Sequence, residues 1–241
     1  MISKTTQNEV QVNWTAETQQ KWLELVNDYV LKHGKNPVFV DVRPESSVFH
    51  LNALCYVASA QMIVLGKDPK AAKVLEIGSY MGQSAKVLAG HFGDVVCVDP
   101  YGLTNSIAKD DDLQEENQHK SDETDLQVKL SDTNELVYFL MQHLVLDFNP
   151  KISLKRLTSD DYFASCDKDE KFDFIYIDGD HRYTQQRKDF ENGLQFLNPK
   201  GIICGHDFSW EPTQKVIKDL QLDKMCIMHF LDDSFMILTQ K

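Results

Sequence analysis

Several short stretches of this 241-residue chain carry residue types and spacings suited to chemistry. The first is Glu76-Ile77-Gly78-Ser79-Tyr80-Met81-Gly82-Gln83-Ser84. An apolar run ends in an acid, a glycine turn follows, and a helical pattern begins at Ser84. Gly78 and Gly82 allow unusual φ/ψ and a close backbone approach to a ligand. A helix N-terminus offers unpaired N–H groups to a carboxylate. The spacing E-x-G-x-x-x-G-x-S differs from the G-x-G-x-x-G that admits a dinucleotide pyrophosphate, so NAD is disfavoured. Asp99 closes the run VVCV about 20 residues later, where an acid is placed to accept from two ribose hydroxyls. An Asp-Pro turn is the competing, lesser reading, and the glycine motif upstream further favours the ribose. Ser159 and Asp160 follow a third apolar run, where the edge of an adenine would lie. A plain helix cap over Thr158-Ser159-Asp160-Asp161 competes with that reading. Two more runs end in Asp178-Gly179-Asp180-His181 and Gly205-His206-Asp207. Asp178 and Asp207 can converge there, and two hard carboxylates with open positions suit Mg²⁺. Asp-Gly is also a common turn, and His181 can simply cap the helix after it.

These residues need a frame that brings strand ends together. Lys73–Ile77, Val95–Val98, Ile152–Leu157, Phe172–Ile177 and Gly201–Cys204 read as strands buried on both faces. Between them lie helical patterns at Ser84–His91, Asn134–Leu146 and Tyr183–Leu197, the last stopped by Asn198-Pro199-Lys200-Gly201. A short helix over Thr213–Leu220 follows Pro212. Met225–Phe230 and Phe235–Leu238 then form two strands separated by Asp232-Asp233, short enough for an antiparallel hairpin. The fold class is α/β: a doubly wound, mostly parallel sheet with an antiparallel edge. Ligands bind such sheets in the crevice at the carboxyl ends of the strands. Residues 1–70 read as an N-terminal helical cap, with one amphipathic helix around Trp14 and Trp22 and another over Val48–Leu65; 71–241 form the main domain. The polar stretch 101–132 carries Asp110-Asp111-Asp112 and Glu115-Glu116 and is long for a loop. It reads as a solvated mobile insertion, with a lid over the substrate as the alternative.

Composition narrows the partners. The net charge of −12 leaves no basic stripe for a phosphate backbone, so nucleic acid is disfavoured and a small-molecule partner fits better. No window approaches about 18 uninterrupted apolar residues, so no membrane span is expected. The polar N-terminus has no apolar leader core, and a cytoplasmic location is expected. The five cysteines are scattered with no C-x-x-C pair, which reads as reduced, mostly buried thiols. Trp14 and Trp22 offer a surface on which a second subunit can pair.

The ordered stretches VLEIGSYMGQSAKVLA, VVCVDPY and FIYIDGDHRYTQQRKDFENGLQFLNPKGIICGHDF resemble the class I methyltransferases that use S-adenosylmethionine (SAM). The second half is similar to the metal-dependent O-methyltransferases related to catechol O-methyltransferase, and most of all to the macrolide-sugar and cephalosporin-biosynthesis branch. The resemblance covers about residues 73–210. It implies a Rossmann-like seven-stranded sheet of order 3-2-1-4-5-7-6 with the last strand antiparallel. It implies SAM held by Glu76, Gly78, Ser79, Tyr80, Gly82, Ser84, Asp99, Ser159, Asp160 and Asp178. It implies a divalent metal on Asp178, Asp207 and the residue before it. The D-x-x-H position gives His181 the role of general base, taking the proton of a hydroxylated acceptor such as a sugar or natural product. The sugar enzymes have a carboxylate where this chain has His206, and imidazole suits Zn²⁺, Mn²⁺ or Fe²⁺ better than Mg²⁺. His206 can instead be a second base or an acceptor contact.

Two rival readings are a non-catalytic SAM- or nucleoside-binding module and an NAD-dependent oxidoreductase. Asp178, His181 and Asp207 speak against the first, which has no use for them. The glycine spacing speaks against the second.

Overall fold

A computed structural model describes residues 24, 46–102, 134–135, 137–143, 145–146, 149–230 and 233–239. The expected helix around Trp14 and Trp22 lies outside them, Glu24 excepted, as does the acidic stretch 103–132. The chain forms α1 (Ser46–Val64), a 3₁₀ turn, β1 (Val74–Ile77), α2 (Gln83–His91), β2 (Val95–Val98) and β3 (Ile152–Lys155). It continues through α3 (Ser159–Ser165), β4 (Phe172–Ile177), α4 (Tyr183–Phe196), β5 (Leu197–Gly205), α5 (Glu211–Asp219), β6 (Cys226–His229) and β7 (Phe235–Leu238). Residues 137–143 add a helical segment before β3.

The seven strands lie in the order β3-β2-β1-β4-β5-β7-β6. Pairing is parallel from β3 to β5, and β7 runs antiparallel to both β5 and β6. This is the expected order, with the expected antiparallel strand. The order reverses direction between β1 and β4, which opens a crevice at their carboxyl ends.

Alternation along the strands divides two cores. Val74, Phe174, Tyr176, Ile202 and Cys204 face one side with α1, α2 and the 137–143 segment. Leu75, Ile77, Ile175, Ile177 and Ile203 face the other with α3, α4 and α5. Phe92 meets Phe174 at 4.7 Å between ring centres, and burying each such ring stabilises by about 1.5–3 kcal/mol. Cys55, Cys97 and Cys204 are buried free thiols, as read from the sequence. No helix among the described residues is long and apolar enough to cross a membrane.

Some boundaries differ from expectation. β5 begins at Leu197, the expected last residue of the helix, and runs through the proposed stop signal, because tertiary hydrogen bonds hold that segment extended. Leu197 pairs with Phe172, the Asn198 amide donates to Asp173 at 3.0 Å, and Lys67 bridges Asp173 and the Pro199 carbonyl. The register then slips, with Lys200 at φ +59°, before Ile202 joins Phe174. α5 begins at Glu211, with Pro212 inside its first turn, where a missing N–H costs nothing. α2 begins at Gln83, one residue before the expected Ser84, with Gly82 as its cap.

Candidate active site

The ladder between strands fixes the strand-end residues. The Asp99 N–H donates to Lys155 O, Asp178 N–H to Ile77 O and His206 N–H to Ile177 O. Each site residue is therefore referenced to the neighbouring strand. Gly78, at φ +87°, passes so close to β4 that a Cβ would lie 2.0 Å from the Asp178 carbonyl oxygen. Gly82, at φ +76°, has the same need against the Met141 sulfur at 2.2 Å. Both glycines take the unusual φ expected of them, and a Cβ at either would also meet the protein itself. Asp99 clamps the turn: its carboxylate accepts from the N–H groups of Ser79 (3.1 Å), Tyr80 (2.9 Å) and Tyr101 (2.9 Å). A carboxylate has about four acceptor positions, so a ribose hydroxyl would share Asp99 with the loop. Burial raises the Asp99 carboxyl, and these N–H bonds oppose the rise.

Glu76 is a buried acid on an apolar face. It points to the same side as Val74 and Tyr176, is 0% exposed, and neither carboxylate oxygen has a hydrogen-bond partner. The nearby Ser79 hydroxyl is likewise unpartnered. Burial pushes the Glu76 carboxyl up to about 7, against the stabilising influence of Ser84, Cys97 and Ser79 beside it. An uncompensated buried carboxylate costs several kcal/mol, of order 2–7 even for neutral polar groups, so such a group calls for a cationic partner.

At the other end of the crevice Thr158 is the N-cap of α3, its hydroxyl accepting from Asp161 N–H at 3.0 Å. The capping reading is therefore correct for Thr158, while Ser159 and Asp160 face the cavity. Two residues of α4 join them. The Gln185 amide reaches Ser159 Oγ at 3.0 Å, Asp160 at 3.0 Å and the buried Asp189 at 3.1 Å. Burial pushes Asp189 up to about 6. The signal for these two was present: polar residues on the inward stripe of an amphipathic helix, beside Phe190.

The ends of β4 and β5 bring Asp178, His181, His206 and Asp207 together. Asp207, at φ +57°, lies between two imidazoles. His181 Nδ1 stands 3.0 Å from its Oδ2 and His206 Nδ1 2.9 Å from its Oδ1. His206 Nδ1 is also 3.9 Å from Asp178 Oδ1. Asp178, His181 and Asp207 each offer a ligand atom within 4.8 Å of the others. Burial would raise Asp207, but the hydrogen bonds from His181 and His206 outweigh it and hold the carboxyl well below the usual range. The Asp207 bond raises His181. Burial raises Asp178, with Asp207 pushing the same way and His206 opposing.

One cavity of about 1190 Å³ joins these parts. It is lined by Gly78, Ser79, Tyr80, Ser84, Asp99, Ser159, Asp160, Asp178, His181, His206 and Asp207. Glu76 and Gly82 stand behind the wall. Trp210 lines the cavity, its ring 5.3 Å from that of His181. Phe208 packs on Phe235 in the core instead. Arg182 lines the cavity and grips Asp180, whereas the Tyr183 hydroxyl donates to Asp219 on α5.

Sheet order, antiparallel β7 and the crevice at the β1/β4 switch define the class I fold of the SAM-dependent methyltransferases. Residues 75–208, more than half the chain, match the methyltransferase-domain family, and the chain belongs to that family. No curated relative matches it in sequence. Among solved structures it is similar to the O-methyltransferase from Bacillus cereus in complex with SAH, at 16% identity and TM-score 0.50, over 98% of this chain and 96% of that one. It is also similar to precorrin-6y C5,15-methyltransferase from Geobacter metallireducens GS-15, at 8% identity and TM-score 0.50, over 85% and 93%. At these identities the likeness is one of fold.

Proposed function

We propose that this protein transfers the methyl group of SAM to a hydroxyl oxygen of a small molecule, such as a sugar or natural product, with a divalent cation at Asp178, Asp207 and His206. The observation that carries the reading is the single cavity running from the glycine turn to the His–Asp cluster. Its first end suits SAM. Glu76 is a buried acid without a partner, fit for the ammonium of a methionine moiety. Asp99 lines the same cavity and would accept from the ribose, and Ser159 and Asp160 would take the adenine. The neighbour from Bacillus cereus was solved with SAH.

Its second end suits oxygen transfer. The acceptor oxygen attacks the methyl carbon in line with the sulfonium sulfur, the carbon–sulfur bond breaks, and the hydroxyl proton leaves to a base. His181 is that base. Its Nδ1 is engaged by Asp207, which fixes the tautomer and leaves Nε2 for the proton. The same bond stabilises the imidazolium that forms. A bound cation supplies Lewis acidity that lowers the hydroxyl pKa. Asp178, Asp207 and His206 form a hard and borderline donor set that fits a divalent ion, Mg²⁺ being the expectation from the carboxylates alone.

The test is a turnover screen over hydroxylated acceptors, with SAH binding followed by calorimetry. His181→Ala should retain SAH affinity and lose about 100-fold or more in turnover. Unchanged turnover would remove His181 as the base, and activity indifferent to chelators would remove the cation.

A further inference from the structure

We infer that Trp210 is the platform on which the methyl acceptor lies, and that the acceptor presents an uncharged hydroxylated ring rather than a phosphate or carboxylate. The inference rests on the methyl-transfer reading above and adds the residue that holds the acceptor and the charge the acceptor carries.

Trp210 has no structural task that accounts for its type. It is the N-cap of α5 but makes no side-chain cap bond, at a position where Ser, Thr, Asp or Asn serves far better. Phe208, two residues before it, is packed on Phe235, whereas Trp210 stays 49% exposed on the cavity wall. An indole left half in water forgoes hydrophobic free energy that the face of a bound ring would recover. Tyr80, the other exposed Tyr or Trp side chain on this wall, belongs to the glycine turn at the SAM end.

The indole is held beside the base. Trp210 N–H donates to the Asp207 carbonyl at 3.0 Å, while the Asp207 carboxylate engages His181 Nδ1 at 3.0 Å. Ser209 N–H, in the same turn, donates to Asp233 at 3.0 Å. Asp207 thus sets both the indole and the imidazole, whose centres stand 5.3 Å apart. A ring lying on the indole would bring a hydroxyl on its edge toward His181. A rigid aromatic platform also loses little conformational entropy on binding.

Charge then limits what the ring carries. The cavity is lined by seven aspartates against one arginine and one lysine. Both cations are already engaged. Arg182 Nε lies 3.0 and 2.9 Å from the two oxygens of Asp180, and Lys188 Nζ lies 2.9 Å from Asp160. Side-chain recognition of a phosphate or carboxylate calls for such a guanidinium or ammonium, which an anionic acceptor would have to take from its aspartate. A cleft lined by one sign of charge also repels ligands of that sign. SAM, with one net positive charge, and a divalent ion reduce the acidic excess without reversing it.

The experiment uses the full chain saturated with SAH. Two uncharged probes, methyl glucoside and dihydroxybenzene, are titrated calorimetrically against their anionic partners, glucose phosphate and dihydroxybenzoate. At least one uncharged probe should bind about tenfold or more tighter than its partner, and which one does so decides between a sugar face and an aromatic face. Trp210→Ala should weaken that probe about tenfold and leave SAH affinity unchanged, while Trp210→Phe should keep most of the affinity. Asp180→Asn, which releases Arg182, should narrow the gap between the probe and its anionic partner several-fold. Anionic probes that bind as tightly as uncharged ones overturn the inference, as does failure of both uncharged rings to bind. So does a Trp210→Ala protein that keeps full probe affinity and loses only kcat, the mark of a residue that merely positions His181. SAH titrations on the same samples separate the two levels. Intact SAH binding with any of these results overturns this inference alone, whereas wild-type protein that binds no SAH overturns the methyl-transfer reading.

Discussion

Replacing Glu76 by Gln tests the cosubstrate end of the site through stability as well as binding. The unfolded carboxyl titrates at its ordinary 4.5 and the folded one near 7. Between those pH values the folded state holds a proton that the unfolded state has lost, so stability falls as pH rises through the window. From 4.5 to about 7, at about 1.36 kcal/mol for each whole step of pKa, the loss is about 3 kcal/mol. Glu76→Gln removes the ionisation and keeps the shape. The variant without ligand should therefore be about 1–3 kcal/mol more stable than wild type at pH 8 and close to it at pH 5. SAH binding should move the other way. An ammonium that loses a charged hydrogen-bond partner gives up about 1.5–3 kcal/mol, or about 10- to 150-fold in affinity. In wild type the SAH affinity should rise with pH up to about 7, as binding no longer has to remove the carboxyl proton. Urea unfolding at pH 5 and 8, with SAH calorimetry at both, measures all three. Equal stability of variant and wild type at pH 8, together with unchanged SAH affinity, would refute the assignment of Glu76 as the partner of a cationic group.

The same window contains an opposing group, which is why the variant must be compared with wild type at each pH. Burial and Lys70 lower His91 to about 4, so its stabilising neutral form is complete above 6.5 and lost as pH falls toward 4; His91→Gln should flatten the acid side of the stability curve. Gly78→Ala should cost at least about 3 kcal/mol in urea unfolding, since the new Cβ meets the Asp178 backbone at a positive φ. Gly82→Ala should cost less, because the flexible Met141 side chain can yield. Asp99→Asn should weaken SAH binding by about tenfold or more by loosening the turn it clamps, seen by calorimetry. Thr158→Ala should cost about 1 kcal/mol of stability through the lost N-cap and leave turnover intact.

What the sequence made legible follows the range of the forces involved. β2, β4 and β7 begin and end where the apolar runs do, because strands buried on both faces are apolar along most of their length. Strand-end acids were legible for the same reason: Asp99 and Asp178 are the first polar groups past buried runs, and Asp207 follows His206 at the end of a third. Contacts between distant segments were not. The Gly78 backbone presses on Asp178, a hundred residues away, and nothing in the local pattern separates that need from room for a ligand. Residues 197–200 are extended because Lys67, Asp173 and Asn198 hold them, against a local Asn-Pro-Lys-Gly stop signal. Gln185 and Asp189 enter the site only once α4 is docked beside α3. Trp210 and Phe208, two residues apart, divide between cavity and core by a turn that composition does not encode.

The site assigns different work to four similar acids by surroundings alone. Glu76, Asp99, Asp178 and Asp207 all end strands of one sheet, and a free carboxyl would treat them alike. Glu76 is sealed into an apolar face without a partner and is driven toward the neutral form, so a cation is needed to make it an anion. Asp99 is also buried, but backbone N–H groups oppose the rise and fix it as a clamp. Asp178 is raised by burial and by its neighbour Asp207, so positive charge beside it is favoured. Asp207, between two imidazoles, is the one held firmly ionised. Positive charge is therefore wanted at two points, one behind the cavity wall at the glycine turn and one on the wall at the β4/β5 ends. An ammonium with a cation beyond it would fill both points, and the sulfonium methyl group would lie between them. That pair of demands at the two ends of one crevice is a stronger reason to place methyl transfer here than any one motif.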